Sequence, residues 1–199
     1  MALQAIALPD ADLRFDAHAI APARASVCLD ALRSEIPWQR HRLRLFGREV
    51  DAPRLSCWIG DADAVYTYSR TRFEPHPWTP TTAALRDDLE ALTGTRFNSV
   101  LANHYRDGHD AMGWHSDDER ELGIDPVIAS LSFGATRRFR LRHRQDRTQP
   151  TLSLELGHGS LLLMAGATQS HYQHALPRST RVVDDRINLT FRRILASRD

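Results

Sequence analysis

Arg186-Ile187-Asn188-Leu189-Thr190-Phe191-Arg192, close to the end of the chain, alternates polar or charged side chains with bulky apolar ones. On an extended backbone successive side chains point to opposite faces. The stretch therefore predicts a strand with Ile187, Leu189 and Phe191 towards a core and Arg186, Asn188, Thr190 and Arg192 on the other face. The same period of two recurs upstream. Over 96–105, Phe97, Ser99, Leu101, Asn103 and Tyr105 share one face, and Arg138, Arg140, Arg142 and Arg144 alternate with Phe139, Leu141 and His143. Further strands are predicted over 127–133, 151–156 and 160–164, and hairpins between 40 and 68. Two helices precede most of these strands. Cys28, Leu32 and Ile36 recur at helical spacing within 22–36, while Thr79-Pro80 starts and Gly94 ends a second helix carrying Leu85, Leu89 and Leu92 on one face. The expected fold class is α+β, mainly β, with a sandwich or barrel core and the helices packed outside it.

The chain has 199 residues and a net charge of +1, which suits a single domain over 1–199. All 26 of its basic residues are arginine. They cluster at Arg40, Arg42, Arg44 and Arg48 and again from Arg137 to Arg147, giving two candidate phosphate-facing surfaces. No apolar run approaches the roughly 18 residues of a membrane span, so no membrane partner is expected. Asp10, Asp12 and Asp16 stand where a signal peptide would need an uninterrupted apolar stretch. Two cysteines, Cys28 and Cys57, lack metal-ligand spacing and read as reduced thiols. The expected location is cytoplasmic. The near-neutral chain shows no heptad pattern, which favours a monomer.

His115-Ser116-Asp117 sets an imidazole and a carboxylate two residues apart, on the same side of an extended backbone. His171 and His174 are both candidates for a third ligand. Two histidines and one carboxylate form the facial triad that binds non-haem Fe(II) and leaves coordination positions open. Arg186 and Arg192 suit the carboxylates of a small diacid, and Asn103 and Tyr105 can add neutral hydrogen bonds.

Together with this pattern, Pro53-Arg54, Tyr66-Thr67-Tyr68-Ser69, Asn103-His104-Tyr105-Arg106-Asp107-Gly108, His115-Ser116-Asp117-Asp118-Glu119, Ser132-Phe133-Gly134, His158-Gly159-Ser160-Leu161 and His174-Ala175-Leu176-Pro177 occur in order. In these motifs, from about Leu45 to Ile194, the chain resembles the AlkB-type Fe(II)/2-oxoglutarate-dependent dioxygenases, which oxidatively remove alkyl groups from nucleobases. It is most similar to the homologues that act on duplex DNA. The resemblance implies a double-stranded β-helix (jelly-roll) core over 96–195, behind an N-terminal extension, 1–95, that carries helices and nucleotide-recognition hairpins. It assigns Fe(II) to His115, Asp117 and His174, which are also the catalytic residues. It places 2-oxoglutarate against Asn103, Tyr105, Arg186, Asn188, Thr190 and Arg192, with O2 as second co-substrate. It implies alkylated DNA, single- or double-stranded, as partner, bearing lesions of the 1-methyladenine and 3-methylcytosine type. Phe46, on the Leu45-Phe46-Gly47 hairpin tip, would fill the gap left by a flipped base, and Tyr66, Tyr68, Ser69, Asp118 and Glu119 would line the substrate pocket. RNA or another methylated molecule is the alternative substrate, and a catalytically silent nucleic-acid-binding module the alternative of a different class. The stretch 145–150 is short where duplex-acting relatives can carry a longer basic loop.

Overall fold

The structure, a computed structural model, describes residues 3–45, 48–68 and 71–195, with the backbone alone described for 43–45, 48–49, 66–68 and 71–73. Its strands are β1 (Gln4–Ile6), β2 (Asp12–Asp16), β3 (Arg42–Leu45), β4 (Arg48–Asp51), β5 (Leu55–Gly60), β6 (Tyr66–Tyr68), β7 (Thr71–Phe73) and β8 (Ser99–Tyr105). They continue with β9 (Met112–His115), β10 (Ile128–Gly134), β11 (Arg137–His143), β12 (Leu152–Leu156), β13 (Ser160–Ala165), β14 (Tyr172–Leu176) and β15 (Arg186–Arg192). The helices are α1 (Pro22–Glu35), α2 (Pro80–Thr93) and the single turn α3 (Thr168–His171).

Two antiparallel sheets form the core. The larger runs β1-β2-β13-β10-β15-β8-β5 and the smaller β12-β11-β14-β9, while β3-β4 and β6-β7 form separate hairpins. The non-sequential strand order is that of a jelly roll. β2 and β5, from the first 95 residues, are ladder members of the large sheet.

The alternation in β10 and β15 explains the layering. Ala129, Leu131, Phe133, Ile187, Leu189 and Phe191 are buried against Ala25, Cys28 and Leu32 of α1 and Leu85 and Leu89 of α2. The opposite face of the large sheet sends Ile128, Leu162 and Met164 against Phe139, Leu141, Tyr172 and Leu176 of the small sheet. The sheet is thus covered by helices on one side and by the second sheet on the other. Gly134 ends β10 at φ 85°, where a Cβ would meet the Asp185 carbonyl oxygen at 2.4 Å. A side chain there would push away the start of β15, which pairs with Gly134 through Arg186.

The strand read over 96–105 begins only at Ser99. The N–H of Phe97 donates to the Glu90 carboxylate (2.8 Å), so the preceding residues tie α2 to the sheet instead of joining a ladder. α2 itself starts at a capping box between Thr79 and Thr82 and ends at Gly94, whose φ is 67°. Glu35, at the end of α1, accepts from the Thr81 N–H (3.1 Å) and hydroxyl (2.8 Å), which places a carboxylate at the positive end of α2. Burial pushes the Glu35 carboxyl up, but its hydrogen bonds with Thr79 and Thr81 outweigh this and hold it below the ordinary range. Removing the cap in Thr79→Ala is expected to cost about 1 kcal/mol of stability, read by urea unfolding, with no effect on the site. Among the described residues no helix is long and apolar enough to cross a membrane.

Candidate active site

Strand register assembles the polar groups. β15 lies between β8 and β10, with Arg186 opposite Tyr105 and Asn188 opposite Asn103 on one side, and Asn188 opposite Ser132 and Thr190 opposite Ser130 on the other. The polar row of β15 is therefore not solvated. Arg186 and Arg192 are each 1% exposed, and Asn188 and Thr190 8%. All of them line a cavity between the sheets, together with Asn103, Tyr105, Met112, His115, Asp117, Phe139, Met164 and His174.

At one end of this cavity the ligand atoms of His115, Asp117 and His174 all lie within 4.8 Å of one another. Here too register does the work, because His115 on β9 pairs directly with His174 on β14. Each imidazole Nε2 faces a different oxygen of Asp117, His115 to Oδ1 at 3.9 Å and His174 to Oδ2 at 3.8 Å. These separations are too long for hydrogen bonds and leave room for an ion held by all three. His115 Nδ1 donates to the Gly113 carbonyl (2.9 Å), which orients the ring with Nε2 towards Asp117. Burial pushes His174 down to about 3, reinforced by neighbouring His115, so its imidazole is neutral at physiological pH. Burial would raise the Asp117 carboxyl, but Arg192, His174 and His115 around it hold it below the ordinary carboxylate range. Two imidazoles and a carboxylate on one side of an open cavity are the donor set of a non-haem Fe(II) site.

Arg186 marks the cavity's other polar group. It donates through Nη2 to Ser132 (2.9 Å), and its guanidinium lies 5.4 Å from the Tyr105 ring. Its Nε is buried without a hydrogen-bond partner, and among the described residues no carboxylate pairs with it. Burial pulls the guanidinium down to about 10, so the cation persists at neutral pH. A buried cation lacking an anion is the counterpart of an anionic ligand. Asn103 Oδ1 accepts from buried Arg54 Nε (2.7 Å), which leaves its NH2 as the donating end. The amide of Asn188 donates to Ser130 Oγ and the Leu131 carbonyl, both at 2.8 Å, and accepts from Thr190 at 3.2 Å. Asn188 thereby braces β10 against β15.

Asp118 is exposed and paired with Arg144 (2.6 Å), and half-buried Glu119 leads into a single 3-10 turn, Arg120–Leu122. Tyr66 and Tyr68 lie in β6, where only the backbone is described, and Phe46 and Ser69 fall outside the described residues. Sequence reading quoted Arg54 and Ser132 within its motifs without giving them a role, and passed over Ser130. The serines were visible as the polar phase of an otherwise apolar strand, whereas the contact between Arg54 and Asn103, 49 residues apart, had no local signal.

His171, the other histidine weighed as a ligand, groups with Asp10 and His143. There His143 Nδ1 accepts the backbone N–H groups of Asp146 (2.8 Å) and Gln145 (3.3 Å). This leaves its proton on Nε2, the atom 3.7 Å from Asp10, and a protonated nitrogen is no ligand.

Residues 13–192 match the profile of the 2OG-Fe(II) oxygenase superfamily. The chain is 44% identical over 163 residues to DNA oxidative demethylase ALKBH2 of Mus musculus, covering 79% of this chain and 68% of that protein. It is 43% identical over 160 residues to the Bos taurus protein of the same name, covering 77% and 58%. To alpha-ketoglutarate-dependent dioxygenase alkB homolog 3 of Rattus norvegicus it is 43% identical over 177 residues, covering 83% and 58%. A solved structure described as "The structure of OsALKBH1" superposes with a TM-score of 0.65, covering 96% of this chain and 100% of that one, at 15% identity, a likeness of fold. The chain thus belongs to the 2OG-Fe(II) oxygenase superfamily, as an AlkB-type oxygenase. It spans 58% to 68% of the length of these curated relatives. The superfamily's cofactor is Fe(II), with 2-oxoglutarate and O2 as co-substrates, and both the His-Asp-His group and the buried Arg186 guanidinium fit them.

Proposed function

We propose that this chain removes N-linked alkyl groups from DNA bases by oxidation, with 1-methyladenine and 3-methylcytosine type lesions as substrates. The observation that carries the reading is the pairing, in one cavity, of the His115, Asp117 and His174 group with the buried guanidinium of Arg186, which pairs with no carboxylate among the described residues. The DNA demethylase names of its relatives supply the substrate class.

His115, Asp117 and His174 would hold Fe(II), which when bound supplies the oxidation of a C–H bond at the expense of 2-oxoglutarate and O2. The chain's own residues bind and orient. Arg186 and Arg192 receive the carboxylates of the co-substrate, with Asn103 and Tyr105 donating hydrogen bonds along it and Thr190 lining it, while Asn188 stiffens that wall. Phe139 stacks on His174 at 5.3 Å and limits the motion of the ligand ring. Hydroxylation of an N-methyl group gives a hemiaminal that releases formaldehyde and restores the base, so no protein nucleophile is needed. A base within a duplex must leave the stack to reach this buried centre. Phe46, Tyr66, Tyr68 and Ser69 are our candidates for filling the gap and gripping the base, with Asp118 and Glu119 beside the ligand Asp117.

The outer face of the small sheet supports a nucleic-acid partner. Arg140 and Arg142 lie 5.6 and 4.2 Å from the Trp114 ring, beside Arg138 on the same strand. The free buried thiols Cys28 and Cys57 support a reducing, cytoplasmic setting. The near-neutral charge supports a monomer.

The test is anaerobic loading with Fe(II) and 2-oxoglutarate, then air and a methylated oligonucleotide, read by mass spectrometry. Single-stranded DNA, duplex DNA and RNA carrying the same lesion are compared. Loss of the methyl group from DNA is expected. Consumption of 2-oxoglutarate with unchanged DNA would overturn the substrate, and demethylation of RNA alone would move the activity to that partner.

A further inference from the structure

The ladder of β9 ends at His115, so the backbone that carries Asp117 has no neighbouring strand. It is held instead by the segment joining β13 to β14. Ser116 Oγ donates to the Tyr172 carbonyl (2.8 Å), and the buried Asp117 N–H donates to Gln169 Oε1 (2.9 Å). Gln169 is 2% exposed. Because the Asp117 N–H can only donate, the amide orientation is fixed, and Nε2 points to Met164 Sδ at 3.5 Å, a side chain that lines the cavity. Arg144 Nη1 reaches both the Gln169 carbonyl (3.3 Å) and Asp118 (2.6 Å), which extends the brace one residue further. The same short segment then runs into β14 and delivers His174.

We infer that Gln169 is a positioning residue, clamping the Asp117 backbone so that its carboxylate is presented between the two imidazoles. The inference rests on the metal reading of the site proposed above. Without the Gln169 oxygen a buried N–H loses its acceptor, and the loop between His115 and Glu119 is free to rotate the carboxylate away from Nε2 of His115 and His174. Partners that orient a ligand without touching the metal typically govern about 10- to 100-fold of its affinity.

The experiment titrates Mn(II) into the unsubstituted chain and into Gln169→Met, which keeps the side-chain volume and removes the acceptor, using electron paramagnetic resonance. Amide hydrogen exchange of Asp117 in the unsubstituted chain is measured alongside. The expected result is an affinity lower by about 10- to 100-fold in the variant, an altered spectrum at saturating Mn(II), and slow exchange at Asp117. The spectral change separates ligand geometry from a general loss of stability. Unchanged affinity and spectrum would overturn the clamp, as would exchange at Asp117 as fast as at the exposed Ile124. Failure of the unsubstituted chain to bind Mn(II) would strike the metal reading, and the exchange rate would still decide the clamp, as it does if the variant fails to fold.

Discussion

Asp117→Ala is expected to give a folded chain with no turnover. The carboxylate is the one anion of the ligand group and touches every other charged or ligating group around it, Nε2 of both histidines and, at 3.5 Å, Nη1 of Arg192. Its removal deletes a ligand directly, so metal affinity should fall by more than the roughly 10- to 100-fold that an outer partner costs. Stability has two opposing contributions. Arg192 loses an acidic partner in a buried setting, which in other proteins costs about 3 to 5 kcal/mol, but the desolvation of Asp117 itself disappears. Asp117→Asn keeps the shape and removes the charge, and it should be the less destabilised of the two while turning over no better. Oxygen consumption with 2-oxoglutarate, metal titration and thermal unfolding of both variants are the checks. Full turnover in Asp117→Ala would sink the assignment of the ligand group.

The strands that form the cavity wall were legible because burial on both faces of β15 still leaves a period of two. Its apolar phase faces the helices and its polar phase faces a cavity, so the alternation survives. Its polar phase reads from sequence as equally compatible with a solvated face, since burial of Arg186 follows from the second sheet and not from β15. β9 and β14 were not legible. Met112-Gly113-Trp114-His115 carries a glycine and is a strand because β14 lies beside it, while Tyr172-Gln173-His174-Ala175-Leu176 follows a single helical turn and is held between β9 and β11. That pairing is also what joins His115 to His174, so the grouping of ligands is a tertiary fact that spacing along the chain leaves open between His171 and His174. β1 and β2 were missed for a similar reason: Gln4–Ile6 and Asp12–Asp16 carry acidic and exposed residues and gain strand structure from the edge of β13. Gln169 is the extreme case. Its amide acts on a backbone 52 residues away, and Ala-Thr-Gln-Ser has no pattern that announces this.

Arg186→Met should separate affinity from stability, with opposite signs. The guanidinium is buried, donates to the Ser132 hydroxyl, lies against the Tyr105 ring and pairs with no carboxylate among the described residues, and burial has pulled it down to about 10. Holding that charge out of water costs the ligand-free fold free energy, and replacing a buried charge by an apolar side chain of similar length is often neutral or stabilising in such settings. The metal-free variant is therefore expected to unfold at a temperature equal to or above that of the unsubstituted chain. Binding moves the other way. Hydrogen bonds to charged groups contribute about 1.5 to 3 kcal/mol each, so loss of the guanidinium should weaken 2-oxoglutarate by roughly 10- to 100-fold or more, seen as a raised KM and in calorimetric titration with Mn(II) present. Ser132, which orients Arg186 without reaching the ligand, should show a smaller loss as Ser132→Ala. If Arg186→Met bound 2-oxoglutarate normally, the cation would be structural and the co-substrate's carboxylates would have to be sought at Arg192. If it bound poorly and also unfolded early, the burial of Arg186 would be stabilised by contacts other than those to a ligand. Weak binding with an undiminished melting temperature is the signature of a charge retained in the fold for the molecule it receives.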